Sequence, residues 1–166
     1  MKFFKGCRPQ FYFDGGRLTK DKKTGKQIWT LKMVITLKSE EVICCDDVIL
    51  HNYTAIETRE NLVEEIIIGH EFDGACIEFY ALADHTAPVL FCMTNLTDLR
   101  LTRDGKLTEL HLKFDIENTD KVHQFVRNHV FTRLWAEFTE QQKTLPHMQP
   151  KPKKIMQFDM PEGPAN

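Results

Sequence analysis

Apolar and polar residues alternate most regularly between positions 27 and 38. Trp29, Leu31, Met33, Ile35 and Leu37 fall on one face, and Thr30, Lys32, Thr36 and Lys38 on the other. A period of two belongs to a strand with one face buried. Leu110, Leu112, Phe114 and Ile116 alternate in the same way with Glu109, His111, Lys113 and Asp115. They predict the return strand of a hairpin over 97–103 and 107–117, turned at Arg103-Asp104-Gly105-Lys106. A second hairpin is predicted over 64–72 and 75–82, because Asp73-Gly74 sits between two β-rich runs and favours a two-residue turn. Shorter strands are predicted over 9–13 and from Pro88 through Thr94.

Helical spacing takes over twice. Val42, Cys45, Ile49, Tyr53 and Ile56 recur on one helical face after the acidic start Ser39-Glu40-Glu41. They predict a helix over about 40–58, with a short strand at 42–45 as its competitor. A longer helix is predicted over 120–141. Asn118-Thr119-Asp120 offers capping residues, and no Gly or Pro interrupts the segment. The resulting order is β-β-α-β-β-β-β-β-α. Without regular βαβ alternation, this is an α+β domain with a largely antiparallel sheet and a long C-terminal helix. A partly open β-barrel plus helix is the alternative. The domain spans 1–142, and 143–166 form a tail.

The last helix carries an apolar surplus. Val122, Phe125, Val126 and His129 share one side, while Phe131, Leu134, Trp135 and Phe138 lie nearly opposite. One sheet covers only one side of a straight helix. The second group is therefore a candidate protein-binding surface or homodimer contact, unless loops or Phe3-Phe4 cover it. The tail adds to this reading. Its proline-rich, basic stretch Leu145–Lys154 leads to an apolar tip with Ile155 and Phe158, the layout of a linear docking peptide.

A second candidate surface is basic. Arg17, Lys20, Lys22, Lys23 and Lys26 stand against Asp21 in the connection between the first two strands. With Phe11, Tyr12, Phe13 and Trp29 nearby, they suggest a nucleic-acid site in which lysines meet phosphates and rings stack on bases. A solvated hairpin is the plainer reading. The whole chain gives no such pull, with a net charge of −2 and a pI near 6.4.

Catalytic chemistry is harder to find. His70, Glu71, Asp73, Glu78, Asp84 and His85 gather along one predicted hairpin. Neighbours on a strand point to opposite faces, so an enzyme or metal site near His70 and Glu78 is short of ligands. A Cys92–His111 nucleophile pair depends on tertiary contact alone. No phosphate-binding glycine loop, nucleophile elbow or zinc-protease motif occurs, and no cofactor or metal is implied. The five cysteines are odd in number and lack a framework spacing. There is no signal-peptide core at Met1-Lys2-Phe3-Phe4 and no apolar run of about 18 residues. These features predict a cytoplasmic protein with reduced thiols. The chain reads as a non-catalytic binding or accessory protein with a protein partner. Nucleic-acid binding is the alternative, and an enzyme near His70 and Glu78 a second one.

Overall fold

The computed structural model describes residues 4, 6–38, 42, 44–58, 64–69 and 72–140. In chain order these form β1 (Gln10–Lys20), β2 (Gln27–Leu37), α1 (Asp47–Thr58), β3 (Glu65–Ile68), β4 (Phe72–Tyr80), β5 (Leu90–Asp104), β6 (Leu107–Glu117), α2 (Asp120–His129) and β7 (Arg133–Glu140). All pairings are antiparallel, in the order β3-β5-β4-β7-β1-β2-β6, and β5 also pairs with β6. That last pairing closes six strands into a barrel, with β3 outside the ring on the second half of β5. Closure satisfies backbone groups that an open sheet leaves at its edges.

The alternation seen in the sequence becomes the wall of this barrel. Leu31, Met33, Ile35, Leu110, Leu112 and Phe114 are buried, and their polar neighbours face out. A cluster of rings fills the interior. Phe79 lies 5.4 Å from Phe11, 5.9 Å from Phe114 and 5.2 Å from Phe125, and Phe125 lies 5.8 Å from Phe13. Phe125 arrives on α2 with Val122 and Val126, all buried. Thr119 caps that helix, its hydroxyl accepting from the Val122 N–H at 3.3 Å. This is one of the capping residues expected from the sequence.

The predicted long C-terminal helix is corrected. It ends at His129, and residues 133–140 are a strand. Val130 leaves helical geometry, Phe131 has φ 61°, and the Thr132 hydroxyl donates to the His129 carbonyl at 2.6 Å. The apparent second helical face is a strand's alternation. Leu134, Ala136 and Phe138 point inward, and β7 closes the ring by pairing with β1 on one side and β4 on the other.

The hairpin predicted at Asp73-Gly74 is also corrected. Those residues make an irregularity within β4, where Gly74 has φ 68° and its N–H donates to Asn95 Oδ1 at 2.9 Å. The Ile66–Ile68 run pairs with β5 rather than with β4. The strands expected over 88–94 and 97–103 are one continuous β5. It bends at Asp98, which has φ 51° and sits in a register shift between Thr97 and Arg100. Lys113 donates to the Asp98 carboxylate and holds it below the usual carboxylate range. The bend switches the inward set from Leu90, Cys92, Thr94 and Leu96 to Leu99 and Leu101.

The helix predicted over 40–58 is described from Asp47 to Thr58, with Ile49 and Ile56 fully buried. Arg103 holds its end, donating from Nη1 to the Ile56 and Glu57 carbonyls at 3.0 and 3.2 Å. A cation at the last turn satisfies open carbonyls and complements the helix dipole. Arg103→Met is expected to cost about 1–3 kcal/mol. Hydrogen exchange should show faster opening of the last turn of α1. Unchanged exchange there would mean that another contact holds the helix end.

The expectation of reduced thiols fails at one pair. Cys7 and Cys44, 37 residues apart, form a disulfide. The antiparallel β1–β2 hairpin carries the start of one strand back beside the end of the other, so distant cysteines meet. No helix among the described residues is long and apolar enough to cross a membrane.

Candidate binding surface

Side chains fill the interior, so the surface open to solvent lies on the outer wall. Interior residues Phe11, Phe13, Met33, Ile35, Leu110, Leu112 and Leu134 fix which neighbours point outward. Strand register then sets those neighbours in a row. Arg133 pairs with Tyr12, Tyr12 with Val34, Val34 with His111, and His111 with Arg100.

Over this row runs an open groove of about 620 Å³, lined by Gln10, Phe11, Tyr12 and Asp14 of β1, Val34 and Thr36 of β2, the following Lys38, Leu107, Glu109 and His111 of β6, and Arg133 of β7. At about 4.8 Å per strand, the distance from β7 to β6 is roughly 14 Å, enough for several residues of an extended chain. The groove is amphipathic. Tyr12 and Leu107 are exposed, at 37% and 57%. Arg133 and Lys38 are balanced by Asp14 and Glu109. On β6, His111 Nε2 lies 2.9 Å from Thr102 Oγ1 and 3.4 Å from Glu109 Oε2.

The sequence-predicted protein-binding residues divide here. Leu134 and Phe138 are interior, 2% and 7% exposed. Phe131 is 66% exposed and Trp135 half-buried. Both border the groove. Trp135 pairs with Gln10, and Phe131 stands two residues before Arg133 with its ring beside Gly15. A bulky side chain at positive φ is held there at a cost of about 1–2 kcal/mol, and such outliers concentrate at functional surfaces. Ile155 and Phe158 lie outside the described residues.

The basic residues of the alternative site lie together on the β1–β2 hairpin. Arg17 and Lys20 end β1, Lys22 and Lys23 lie in the turn, and Lys26 reaches Glu117 at 2.9 Å. The predicted stacking rings do not join them. Phe11 and Phe13 are interior, and Tyr12 lies beyond Gly15 in the groove. Trp29 is partly buried, with its Nε1 donating to Asn118 Oδ1 at 2.9 Å.

Of the proposed enzyme site, His70 and Glu71 lie outside the described residues. Glu78 belongs to a polar cluster on the far wall. It accepts from the Tyr80 hydroxyl at 2.7 Å, a bond that raises the Tyr80 pKa. Arg8 stacks 3.7 Å over the Tyr80 ring, pairs with Glu137 at 2.9 Å, and donates to the Ala83 and His85 carbonyls. Glu137 faces Glu78 directly across β7 and β4, so Arg8 offsets a like-charge pair and ties down the 81–89 connection. Cys92 and His111 face opposite sides of the wall. Burial pushes the Cys92 thiol up to about 12, with Cys76 adding to the rise, and so suppresses the thiolate.

The groove was missed in the sequence because its members come from four strands. Only Tyr12 within the aromatic run Phe11-Tyr12-Phe13 carried a signal: it is the middle residue, and a strand turns it outward. No protein-family model, curated protein or solved structure matches this chain.

Proposed function

We propose that this protein is a non-catalytic binding barrel that takes a polypeptide segment of a partner into the groove across β7, β1, β2 and β6. The observation that carries this reading is the amphipathic row on the outer wall, with exposed Tyr12 and with cations and carboxylates in equal number around it. A surface of one charge would suit a polyanion, and an apolar one a lipid or a small hydrophobe. A surface with two cations, two carboxylates and apolar side chains suits a peptide carrying both charge signs. Phe131 and Trp135 supply aromatic area at the β7 border, the type of residue that dominates binding energy at protein interfaces.

Selection of a displayed random-peptide library on the immobilised protein is the direct test. Selected peptides are expected to bind Tyr12→Ala and Arg133→Ala at least tenfold more weakly, as for central interface residues. Phe91→Ala, on β5 outside the groove, serves as the control. Tyr12 is already part-exposed, so its truncation should leave the circular dichroism spectrum unchanged. Peptides that bind both groove variants as well as the parent would place the site elsewhere.

A further inference from the structure

Independently of the groove, we infer that the open edge of β1 from Gly16 to Lys20 docks an extended acidic peptide as an added strand. β1 is a strand of two halves. Its start, Gln10 to Tyr12, pairs with β7, and from Tyr12 onward it pairs with β2. Pairing on the β7 side stops at Phe13, whose N–H donates to the Thr132 carbonyl at 3.0 Å and whose carbonyl accepts from Phe131 at 2.8 Å. An irregularity follows between Phe13 and Gly15, where Gly15 has φ 126°. Beyond it β1 pairs with β2 alone among the described residues, and every residue from Gly16 to Lys20 is exposed. Alternate N–H and C=O groups of that stretch therefore face outward, with no strand among the described residues to receive them.

The edge is stiff. β2 is held along its other side by β6 from Ile28 to Leu37, so the hairpin is the rim of a three-strand wall. Its turn is closed by Asp21 N–H to the Lys26 carbonyl and Gly25 N–H to the Asp21 carbonyl, both at 2.8 Å. A preorganised edge spares the ordering entropy that a flexible loop loses on binding.

Its charge selects the guest. The Asp21 carboxylate is occupied within the turn by the Lys23 N–H and the Thr24 hydroxyl, both at 2.8 Å. Lys26 is paired with Glu117. Arg17, Lys20, Lys22 and Lys23 keep no ion-pair partner among the described residues. Lysines on an edge repel a second copy of the same edge and hinder indiscriminate pairing. The same charges favour a strand that bears carboxylates, and exposed Leu18 gives such a strand an apolar contact. A nucleic acid suits this edge less well, because no aromatic residue occurs between Gly16 and Ile28 to stack on a base.

The test uses the full chain and a fluorescein-labelled peptide of alternating Glu and Val, followed by fluorescence polarisation. Binding is expected, weakening as salt rises from about 50 to 200 mM. Lys22→Glu combined with Lys23→Glu should weaken it about tenfold or more, each exposed charge contributing modestly. The same peptide N-methylated at every amide keeps its charges but loses its N–H donors, and should fail to bind the unchanged protein. Hydrogen exchange should show new protection between Gly16 and Lys20 when the parent peptide is present. Equal binding of the methylated peptide, or tighter binding of a single-stranded oligothymidine, would overturn the inference. The first outcome would mean charge attraction without strand pairing, and the second a nucleic-acid surface.

Discussion

Replacing Phe79 by alanine is expected to destabilise the protein by about 3–5 kcal/mol, the largest effect of any single truncation considered for this fold. Phe79 is 1% exposed and its ring touches those of Phe11, Phe114 and Phe125. Those rings come from β1, β6 and α2, so one side chain joins three elements to β4. Its removal leaves a cavity that rigid walls cannot collapse to fill, and the cost combines lost burial with the void. For a chain of this size the melting temperature should fall by roughly 6–20 °C. Phe91→Ala is the matched comparison. Phe91 is 49% exposed on the neighbouring strand, and its truncation should cost under about 1 kcal/mol. Thermal and urea unfolding of both variants measures the difference. Equal stabilities would show that the ring cluster is not the centre of the core.

Reducing the Cys7–Cys44 disulfide is expected to cost up to about 4 kcal/mol. The bond closes a separation of 37 residues, and the loss of loop entropy in the unfolded chain gives that magnitude at 25 °C. The effect acts mainly on the unfolded state, because the barrel's hydrogen bonds and ring cluster stay in place. Unfolding in urea with and without reductant, beside a Cys7→Ser and Cys44→Ser double variant, measures it. The reduced parent and the double variant should agree. Alkylation of the non-reduced protein followed by mass spectrometry provides the decisive check. Alkylation of both Cys7 and Cys44 without prior reduction would rule the bond out.

The two effects also mark where the fold is vulnerable. Phe79 joins elements through the barrel interior. The disulfide links the lead into β1 with the segment after β2. β1 and β2 in turn carry both surfaces proposed for binding, the groove and the open edge. A change in the hairpin's anchorage is therefore a change in the geometry offered to a partner.

Local chemistry was legible wherever one residue pattern had one outcome. The β2 and β6 alternations were read correctly, because a strand buried on one face repeats every two residues whatever its neighbours are. The Gly105 turn and the Thr119 cap were likewise local matters, settled by a glycine at φ 60° and a side-chain oxygen within reach of a helix N–H. The errors arose where two periods fit the same letters. In 131–138, Leu134 and Phe138 are spaced for a helix face and equally for alternate positions of a strand. A helix was the cheaper local choice. A strand prevailed because β4 and β1 each presented a line of backbone groups that only a strand can satisfy. Asp73-Gly74 was misread for the same kind of reason. Gly74 does adopt positive φ, but tertiary pairing uses it to bend β4 rather than to reverse the chain.

The sequence by itself determined an antiparallel α+β protein, its inward-facing residues on β2 and β6, the cap of its second helix and the basic character of its first hairpin. Those features depend on neighbours within a few residues, so covalent order alone specifies them. Only the tertiary structure decided that the sheet closes, that residues 133–140 are the strand closing it, and that Tyr12, Val34, His111 and Arg133 share one outward row. It also decided that, among the described residues, β1 beyond Gly15 pairs with β2 alone. Closure and strand register are long-range choices, fixed by which backbone edges remain unpaired and which rings fill the interior. The groove proposed for binding, assembled from four strands, inherits that dependence.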